Sequence, residues 1–361
     1  MKIIDPIKFS KSKTDSAGIT LCNDKKSEED KDYALEILSN WRAAHSYPMH
    51  IFKKRLKRVS EKIDKNALSA QRLKRVPSII KKLNRKYGDN KATMKLTQMQ
   101  DIAGCRVVMS NVKLAKKLYH DYYIKGDLKH KKVNEKNYIS NPKKDGYRSI
   151  HLIYRYNSDK GKKIYNGLLV EVQIRSKLQH IWATAVETVD FFTGQAIKSN
   201  EGKEEWKVFF KLMSSAFAKI EGCPTISNTP DDEKELYLLI KEKEKELNII
   251  TKMENWTRSI KLFDDLKNKK NIHLFLLELD TILERLTISA YSKRQEEKAI
   301  KDYAIAEKKI YGKKEYDVVL VGADTITDLK KAYPNYFLDT KEFIIYLNKI
   351  LNKYSKETTN K

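Results

Sequence analysis

The stretch LLVEVQIRS, residues 168–176, constrains the fold more than any other part of this chain. Polar and apolar residues alternate in it, and alternation places successive side chains on opposite sides of an extended strand. Glu171, Gln173 and Arg175 share one side, while valine and isoleucine side chains share the other. Such a strand belongs to a sheet with one packed face and one open face. The open face, with its three polar side chains, is a candidate for a functional site.

Further strand and helix patterns alternate along the rest of the chain. The predicted strands are CRVVM, SIHLIYRY, LFLLELD, ERLTISAYS and YDVVLVG. Helical spacing of apolar residues marks segments near 112–123, 178–191, 204–220, 232–249 and 293–310, and two further helices near the C-terminus. These patterns predict an α/β (α+β) protein with a mixed β-sheet flanked by helices.

Length and turn signals predict two domains. At 361 residues the chain is long enough for two hydrophobic cores. Residues 1–33 are polar and are predicted to be flexible, and residues 34–222 form the first domain. CPTISNTPDD, residues 223–232, is typical of a linker, and residues 233–361 form a smaller C-terminal α/β domain. Within the first domain a helix starting near Asp32 is predicted to end at Pro48, because proline interrupts helices, and a basic helix follows over 51–64.

Positive charge is concentrated in one part of the sequence. The formal net charge is +25, and residues 51–100 hold sixteen Lys or Arg against three Asp or Glu. This basic block favours a polyanionic partner, either nucleic acid or nucleotide phosphates. The competing explanation is a genome that fills protein surfaces with lysine, since lysine and asparagine are abundant throughout.

Several classes of protein are disfavoured. The sequence has no run of 18 apolar residues and no secretory signal at its start, so we predict no membrane span and a cytoplasmic location. Its three scattered cysteines indicate neither a disulfide framework nor a metal pair. The phosphate-binding loop GxxxxGK[ST], the dinucleotide motif GxGxxG and the zinc motif HExxH do not occur.

The segment NPKKDGYRSIH, residues 141–151, combines turn signals with cationic and aromatic side chains. Asn-Pro and Asp-Gly predict a loop that leads into a strand. Strand parity then places Tyr147, Ser149 and His151 on one face. A cationic loop beside an aromatic ring suits a phosphorylated, ring-bearing ligand, although a solvated basic turn is the simpler interpretation of this segment taken alone.

An ordered series of motifs favours the ligand-binding interpretation. Arg72-Leu73-Lys74 is followed by Ser78 and Lys81, then by DIAGCR (101–106), NPKKDGYRSIH and EVQIRSKLQHIWATAVE (171–187). This series resembles the synthetase domain of RelA/SpoT-type alarmone synthetases over about residues 34–220. The resemblance implies a nucleotidyltransferase-like pyrophosphokinase domain, which transfers pyrophosphate from ATP to a ribose 3′-hydroxyl and releases AMP.

The resemblance also implies roles for individual residues at the ATP side. Asp101 is expected to hold Mg²⁺, and Glu171 to help hold it or to take the proton from the attacking hydroxyl. Carboxylates suit this, because Mg²⁺ prefers carboxylate, water and phosphate oxygens. The expected ATP-binding residues are Arg72, Lys74, Lys81 and Arg106, the two arginines stacking on adenine.

On the acceptor side, the resemblance implies that the acceptor base stacks on Tyr147. The expected acceptor-binding set is Lys143, Tyr147, His151, Gln173, Arg175 and Glu187. Arg148 and Ser149 are interpreted as structural support. Two positions depart from the family pattern: Thr188 follows Glu187 where many members have histidine, and Ser176 replaces the usual threonine after QIR.

Two acceptors fit these motifs. The first is the 3′ end of tRNA, as in toxic small alarmone synthetases that block translation, and the basic block and Thr188 favour it. The second is GDP or GTP, which would give ppGpp or pppGpp. An inactive RNA-binding module is a third possibility, and retention of both carboxylates argues against it.

The C-terminal part carries a shorter resemblance. Tyr333 and Tyr336, in the segment YPNY, resemble a tyrosine pair of fused toxin–antitoxin members, in which the C-terminal domain covers the ATP site. This implies a self-inhibited enzyme that a trigger protein releases. Such an enzyme would fit a role in phage defence. The alternative is that the two tyrosines only close a turn at the end of a helix and have no inhibitory role.

Overall fold

A mixed β-sheet of nine described strands organises the molecule. In the computed structural model the described residues are 7–85, 94–193, 204–259, 261–264, 272–280, 282–283, 285–310, 313, 316–323, 325–332 and 340–354. The strands are β1 (Leu68–Leu73), β2 (Ala103–Met109), β3 (Lys131–Asn137), β4 (Ile150–Arg155), β5 (Leu169–Ser176), β6 (Lys261–Asp264), β7 (Ile272–Asp280), β8 (Arg285–Ser292) and β9 (Tyr316–Gly322). Their order is β3-β4-β5-β2-β1-β9-β7-β8-β6, with β2/β5 and β6/β8 parallel and the other pairs antiparallel. The predicted mixed sheet flanked by helices is confirmed.

Helices cover both faces of this sheet. They are α1 (Lys11–Leu21), α2 (Glu28–Ile63), α3 (Val76–Leu83), α4 (Val112–Tyr119), α5 (Lys177–Thr193), α6 (Glu204–Glu221), α7 (Glu233–Leu247), α8 (Ile249–Ser259), α9 (Glu296–Lys309), α10 (Ile326–Ala332) and α11 (Lys341–Lys353). Within the described part of the chain, no helix is both long and apolar enough to cross a bilayer.

The two faces of the sheet have different chemistry. Helices α1, α2 and α4 pack on one face, against the apolar side chains of β2, β4 and β5, and α9 continues that layer over β7 and β9. On the other face, Glu171 lies in one row with Ile153, Gly104, Arg72 and Val321 of four neighbouring strands. This second face is charged over β5, β2 and β1, and apolar over β9, β7 and β8, where α10 covers it. We call it the cleft face.

Two sequence expectations are wrong for the N-terminal part. Helix α2 does not end at Pro48 but runs through it to Ile63, and Pro48 is buried inside. The backbone hydrogen bond that proline removes is outweighed by an apolar stripe along 36 residues of helix. Residues 1–33 are not uniformly loose, because α1 begins at a Ser10 cap and buries Ala17 and Leu21.

The predicted division at residues 223–232 coincides with the connection between α6 and α7. The sheet nevertheless continues across the two parts, since Gln71 and Arg72 of β1 pair with Gly322 and Val321 of β9. Helices α5 and α6 also share one hydrophobic cluster with α7, α8 and α11. Independent folding of residues 233–361 therefore stays a prediction.

Candidate active site

A large polar cleft lies on the cleft face, where α3 and the loop before β4 rise above β1, β2, β4 and β5. Its volume is about 1150 Å³. The cations that line it are Arg72, Lys74, Arg75, Lys81, Lys82, Arg85, Lys136 and Lys143. Asp101, Glu171, His151 and Tyr138 also line it, so motifs 100 residues apart in sequence share one cavity.

Asp101 lies just before β2 and is held by two lysines. Its carboxylate accepts hydrogen bonds from Lys74 Nζ at 3.1 Å and from Lys82 Nζ at 2.9 Å. Burial opposes ionisation of Asp101, but the two ammonium groups outweigh it and keep the pKa below its ordinary value. Burial also lowers the pKa of Lys74, with Asp101 opposing. Asp101 is therefore a carboxylate near neutral pH, beside cations that suit phosphate oxygens.

Glu171 ends a chain of hydrogen bonds across β5 and β4. Its Oε1 lies 2.8 Å from His151 Nδ1, and Gln173 Nε2 donates to its Oε2 at 2.6 Å. On the other side of the ring, His151 Nε2 lies 2.8 Å from the Tyr147 hydroxyl. Arg175 donates to the same hydroxyl at 2.8 Å. The sequence assigned His151 to the acceptor alone, whereas the structure makes it the direct partner of Glu171.

These contacts shift three pKa values. Burial alone would lower the pKa of His151, but Tyr147 and Glu171 raise it to about 9. Burial alone would raise the pKa of Tyr147, but Arg175 and His151 lower it to about 7. Burial alone would raise the pKa of Glu171, but the contact with His151 lowers it below its ordinary value. The arrangement favours an ionised Glu171 next to a protonated imidazole.

An aromatic corner closes the acceptor end of the cleft. The Tyr138 ring lies edge-on to those of Tyr147 and His151, with centroids 6.0 and 5.4 Å away. Lys143 Nζ lies 4.8 Å from the Tyr138 centroid and 5.0 Å from that of Tyr147, and Lys143 is exposed. A base could stack here once the flexible lysine moves aside.

A smaller cavity of about 110 Å³ opens from the cleft over β1 and β2. Arg72 and Arg106 both line it, together with Gln173. Because Arg72 pairs with Gly104 and Ala70 pairs with Arg106, the two arginines stand on the same face of adjacent strands. This placement is compatible with the expected adenine-stacking role, which stays a prediction.

The donor set fits a hydrated Mg²⁺ ion better than a fully protein-bound metal. Among the described residues, no group of three His, Cys, Asp or Glu side chains is arranged to hold a metal. Asp101 and Glu171 are near enough for Asp101 to raise the pKa of Glu171. A cation between them would relieve that repulsion, and Mg²⁺ commonly takes one or two carboxylates with water and phosphate oxygens.

The loop before β4 requires glycine at position 146. Gly146 has φ +98°, and a Cβ there would lie 2.9 Å from the Trp182 ring. Its carbonyl accepts from Ser214 Oγ at 2.6 Å, and that hydroxyl accepts from Arg148 Nε at 3.1 Å. Ser149 Oγ donates to the Ile174 carbonyl at 3.2 Å. The buried Arg148 and Ser149 thus support the loop, as the sequence indicated.

Some predicted residues lie elsewhere, and some cleft residues were missed. Glu187 is half-buried on α5, and it is not among the residues that line the cleft. Tyr147 and Arg175 do not line the cleft either, and they reach it through the hydrogen bond of Tyr147 to His151. Tyr333 and Tyr336 lie outside the described residues. Lys82 was missed, although Ser78, Lys81, Lys82 and Arg85 follow the spacing of one helix face. Tyr138 was missed because it belongs to no motif.

Comparison with known proteins finds similarity over part of the chain. Residues 71–190 match a protein family described as "Region found in RelA / SpoT proteins". The GTP pyrophosphokinase YjbM of Bacillus subtilis (strain 168) is 31% identical over 128 residues, which cover 33% of this chain and 54% of the relative. GTP pyrophosphokinase YwaC of the same organism is 32% identical over 113 residues, covering 31% and 52%. The chain therefore spans about half the length of these curated relatives.

Solved structures show similarity over about half of this chain. The small alarmone synthetase 1 from Bacillus subtilis, bound to its product pppGpp, aligns with a TM-score of 0.42 and 23% identity over 50% of this chain and 90% of its own. A GTP pyrophosphokinase family protein from Streptococcus pneumoniae aligns with a TM-score of 0.40 and 22% identity, covering 55% and 91%. The likeness to fused toxin–antitoxin members stays a prediction. The matched segment, residues 71–190, carries Asp101, Tyr147 and Glu171, and it is similar to the region found in RelA/SpoT proteins.

Proposed function

We propose that this protein is an ATP-dependent pyrophosphokinase that transfers the β,γ-pyrophosphate of ATP to a ribose 3′-hydroxyl and releases AMP. One observation carries the proposal: Asp101 and Glu171 share a cleft with the basic face of α3 at one end and an aromatic corner at the other. The names of the two curated relatives, both GTP pyrophosphokinases, support the same reaction class.

In this reaction the acceptor 3′-oxygen attacks the β-phosphorus and releases its proton to solvent, the bond from that phosphorus to the α,β-bridging oxygen breaks, and AMP leaves. Lys74, Lys81 and Lys82 would bind and orient the phosphates, and Arg72 and Arg106 would hold the adenine. Mg²⁺, when bound by Asp101 and Glu171, supplies charge neutralisation for the transferring group. The lowered pKa of Glu171 makes it a weak base, so we favour it as a metal-holding and hydroxyl-orienting residue.

For the acceptor we propose the 3′ end of tRNA, with GDP or GTP as the alternative. The names of the curated relatives favour the alternative. The cationic rim of the cleft favours tRNA, because Arg85, Lys136 and Lys143 all line the cleft and are exposed. Lys54 and Arg58 of the same basic block belong to α2, which packs on the opposite face of the sheet.

We also propose that residues 233–361 restrain this activity through Tyr333 and Tyr336 until a trigger protein, such as a phage protein, binds the C-terminal part. Helix α10 supports this, since it packs on the cleft face, with Leu329 against Ala70 of the strand that carries Arg72. The tyrosine pair follows α10 directly in sequence.

The decisive experiment follows the label of γ-labelled ATP. The protein is incubated with Mg²⁺ and labelled ATP plus GDP, GTP or deacylated tRNA, with the Asp101→Asn variant as the control. Label in tRNA, with stoichiometric AMP, would support the preferred acceptor. Label in a guanine nucleotide would select the alternative. RNA binding without AMP release, in wild type and in the Tyr333→Ala/Tyr336→Ala variant, would contradict the enzyme and leave an RNA-binding module.

A further inference from the structure

A buried ion pair joins the C-terminal part to the helix beneath the candidate active site. Arg42 of α2 and Glu307 of α9 are 3% and 7% exposed. Both terminal nitrogens of the Arg42 guanidinium donate to the Glu307 carboxylate, and one also donates to the Tyr303 hydroxyl at 2.7 Å. The pair lies between α2 and α9, where the N-terminal and C-terminal parts of the chain meet.

Glu307 makes one more contact, and this one reaches α3. Its Oε1 accepts a hydrogen bond from the Val76 backbone N–H at 3.1 Å. Helix α3 starts at Val76, and its own N-cap residue, Arg75, makes no side-chain capping hydrogen bond. Pro77 has no N–H to satisfy. The carboxylate therefore caps the helix from a distant element, and its charge also suits a helix N-terminus.

Neighbouring contacts restrain the same short segment. Arg75 forms an ion pair with Asp317 of β9, and Arg72 pairs in register with Val321 of that strand. Lys74, which lies between Arg72 and Arg75 in sequence, contacts Asp101, and Lys82 at the far end of α3 contacts the same carboxylate. Lys74 and Lys82 therefore contact Asp101 in the cleft, while the segment that carries them is anchored to α9 and β9.

We propose that Glu307 is a positioning residue of the nucleotide-phosphate site, which caps α3 so that its lysines are held against Asp101. The C-terminal part then has a constructive role in the ATP site, separate from any restraint by the tyrosine pair. This inference rests on the proposed function only for the identity of the nucleotide.

The test separates capping from general packing with two matched double variants. Arg42→Met/Glu307→Met replaces the ion pair by apolar side chains, an exchange that buried pairs often tolerate, and it removes the acceptor for Val76. Arg42→Met/Glu307→Gln removes the same charges but keeps an amide oxygen there. Hydrogen–deuterium exchange of peptides covering 74–84 is measured in both, with peptides from α7 as the control for the fold. Affinity for a Mg²⁺ complex of an ATP analogue with a non-cleavable α,β bridge is measured by calorimetry.

We expect the Met/Met variant to exchange faster in α3, with α7 unchanged, and to bind the analogue about tenfold more weakly, the size of effect that a lost helix cap gives. The Met/Gln variant should stay within about threefold of wild type on the same scale. Equal exchange and affinity in the two variants would overturn the proposal, as would loss of protection in α7. If neither wild type nor the Tyr333→Ala/Tyr336→Ala variant binds the analogue, the proposed function fails, and exchange in α3 alone decides the role of Glu307.

Discussion

Asp101 and Glu171 both enter the cleft hydrogen-bonded to cationic partners: Asp101 to Lys74 and Lys82, Glu171 to His151. Such carboxylates stay ionised although they are half-buried, and both pKa values are lowered. Ionised carboxylates are what a metal-assisted phosphoryl transfer requires from the protein.

Asp101→Asn and Glu171→Gln should each reduce pyrophosphate transfer at least about 100-fold, because each removes charge neutralisation worth several kcal/mol at the transition state. The measurement is AMP release at saturating ATP, made with Tyr333→Ala/Tyr336→Ala also present in every protein so that the proposed restraint is absent, and thermal unfolding shows that the fold is retained. Glu61→Gln, an exposed carboxylate on α2, is the control and should be fully active. Transfer at the wild-type rate in either cleft variant would disprove the site assignment.

His151 and Tyr147 should give the protein an unusual pH response. The pKa of His151 is raised from 6.5 to about 9, so its stabilisation is complete below pH 6.5 and is lost as the pH rises through about 9. The pKa of Tyr147 is lowered from 10.0 to about 7, so its stabilisation is present above pH 10 and is lost as the pH falls through about 7. Between pH 7 and 9 the two contributions to the free energy of unfolding oppose each other.

Tyr147→Phe should remove this compensation. Relative to wild type, we expect its free energy of unfolding in urea to fall as the pH rises and the imidazolium loses its proton. This loss should come at a pH below about 9, because Tyr147 no longer helps to raise the pKa of His151. Tyr138→Phe, which removes a hydroxyl from the same corner, serves as the control. Parallel pH curves for wild type and Tyr147→Phe would show that the two groups are not coupled in this way.

At the scale of elements, the loop before β4 depends on a backbone that only glycine adopts easily. Gly146→Ala should lower the free energy of unfolding by about 2 kcal/mol or more, since it adds a left-handed non-glycine residue and a contact with Trp182. Gly161→Ala is the matched control, because a Cβ at Gly161 meets no atom within 4 Å. Equal stability of the two variants in urea unfolding would contradict the proposed constraint.

Exposed cations lie on both faces of the sheet, and this distribution predicts which of them serve tRNA. Arg85→Glu/Lys136→Glu at the cleft rim should reduce tRNA modification at least about tenfold and flatten its dependence on salt concentration. Lys54→Glu/Arg58→Glu on α2 carries the same charge change on the opposite face and should have little effect. A larger loss from the α2 pair would place the docking surface there instead.

Local patterns predicted most elements, because β5, β7, β8 and β9 carry their own periodicity. Strand β1 was missed since LSAQRL mixes polar and apolar residues without a clear period. The contacts that complete the site were beyond sequence reasoning for a different reason. The Val76–Glu307 hydrogen bond and the β1–β9 pairing join residues more than 200 positions apart, and no local pattern records which distant partner a backbone group finds.

For the whole molecule, the proposed restraint makes a direct prediction. Tyr333→Ala/Tyr336→Ala should be active and growth-arresting without any trigger, because a tethered inhibitory segment acts at high effective concentration. Tyr333→Phe/Tyr336→Phe keeps the rings and should stay restrained if stacking on the ATP-site arginines is the mechanism. Activity is compared with and without a trigger protein. A soluble alanine variant with unchanged resting and triggered activity would eliminate the restraint.

The pairing of β1 with β9 also orders events while the chain is being made. The two strands are roughly 250 residues apart, so at about 5–20 residues per second the outer edge of β1 stays open for tens of seconds during translation. In that interval the nascent chain on the ribosome already contains Asp101 and Glu171, but the tyrosine pair has not yet been translated. Under the proposed function, an active nascent chain without its restraint would endanger the cell. If Glu307 caps α3 as proposed, this danger does not arise, because the lysine side of the site is completed only by residues translated just before the tyrosines.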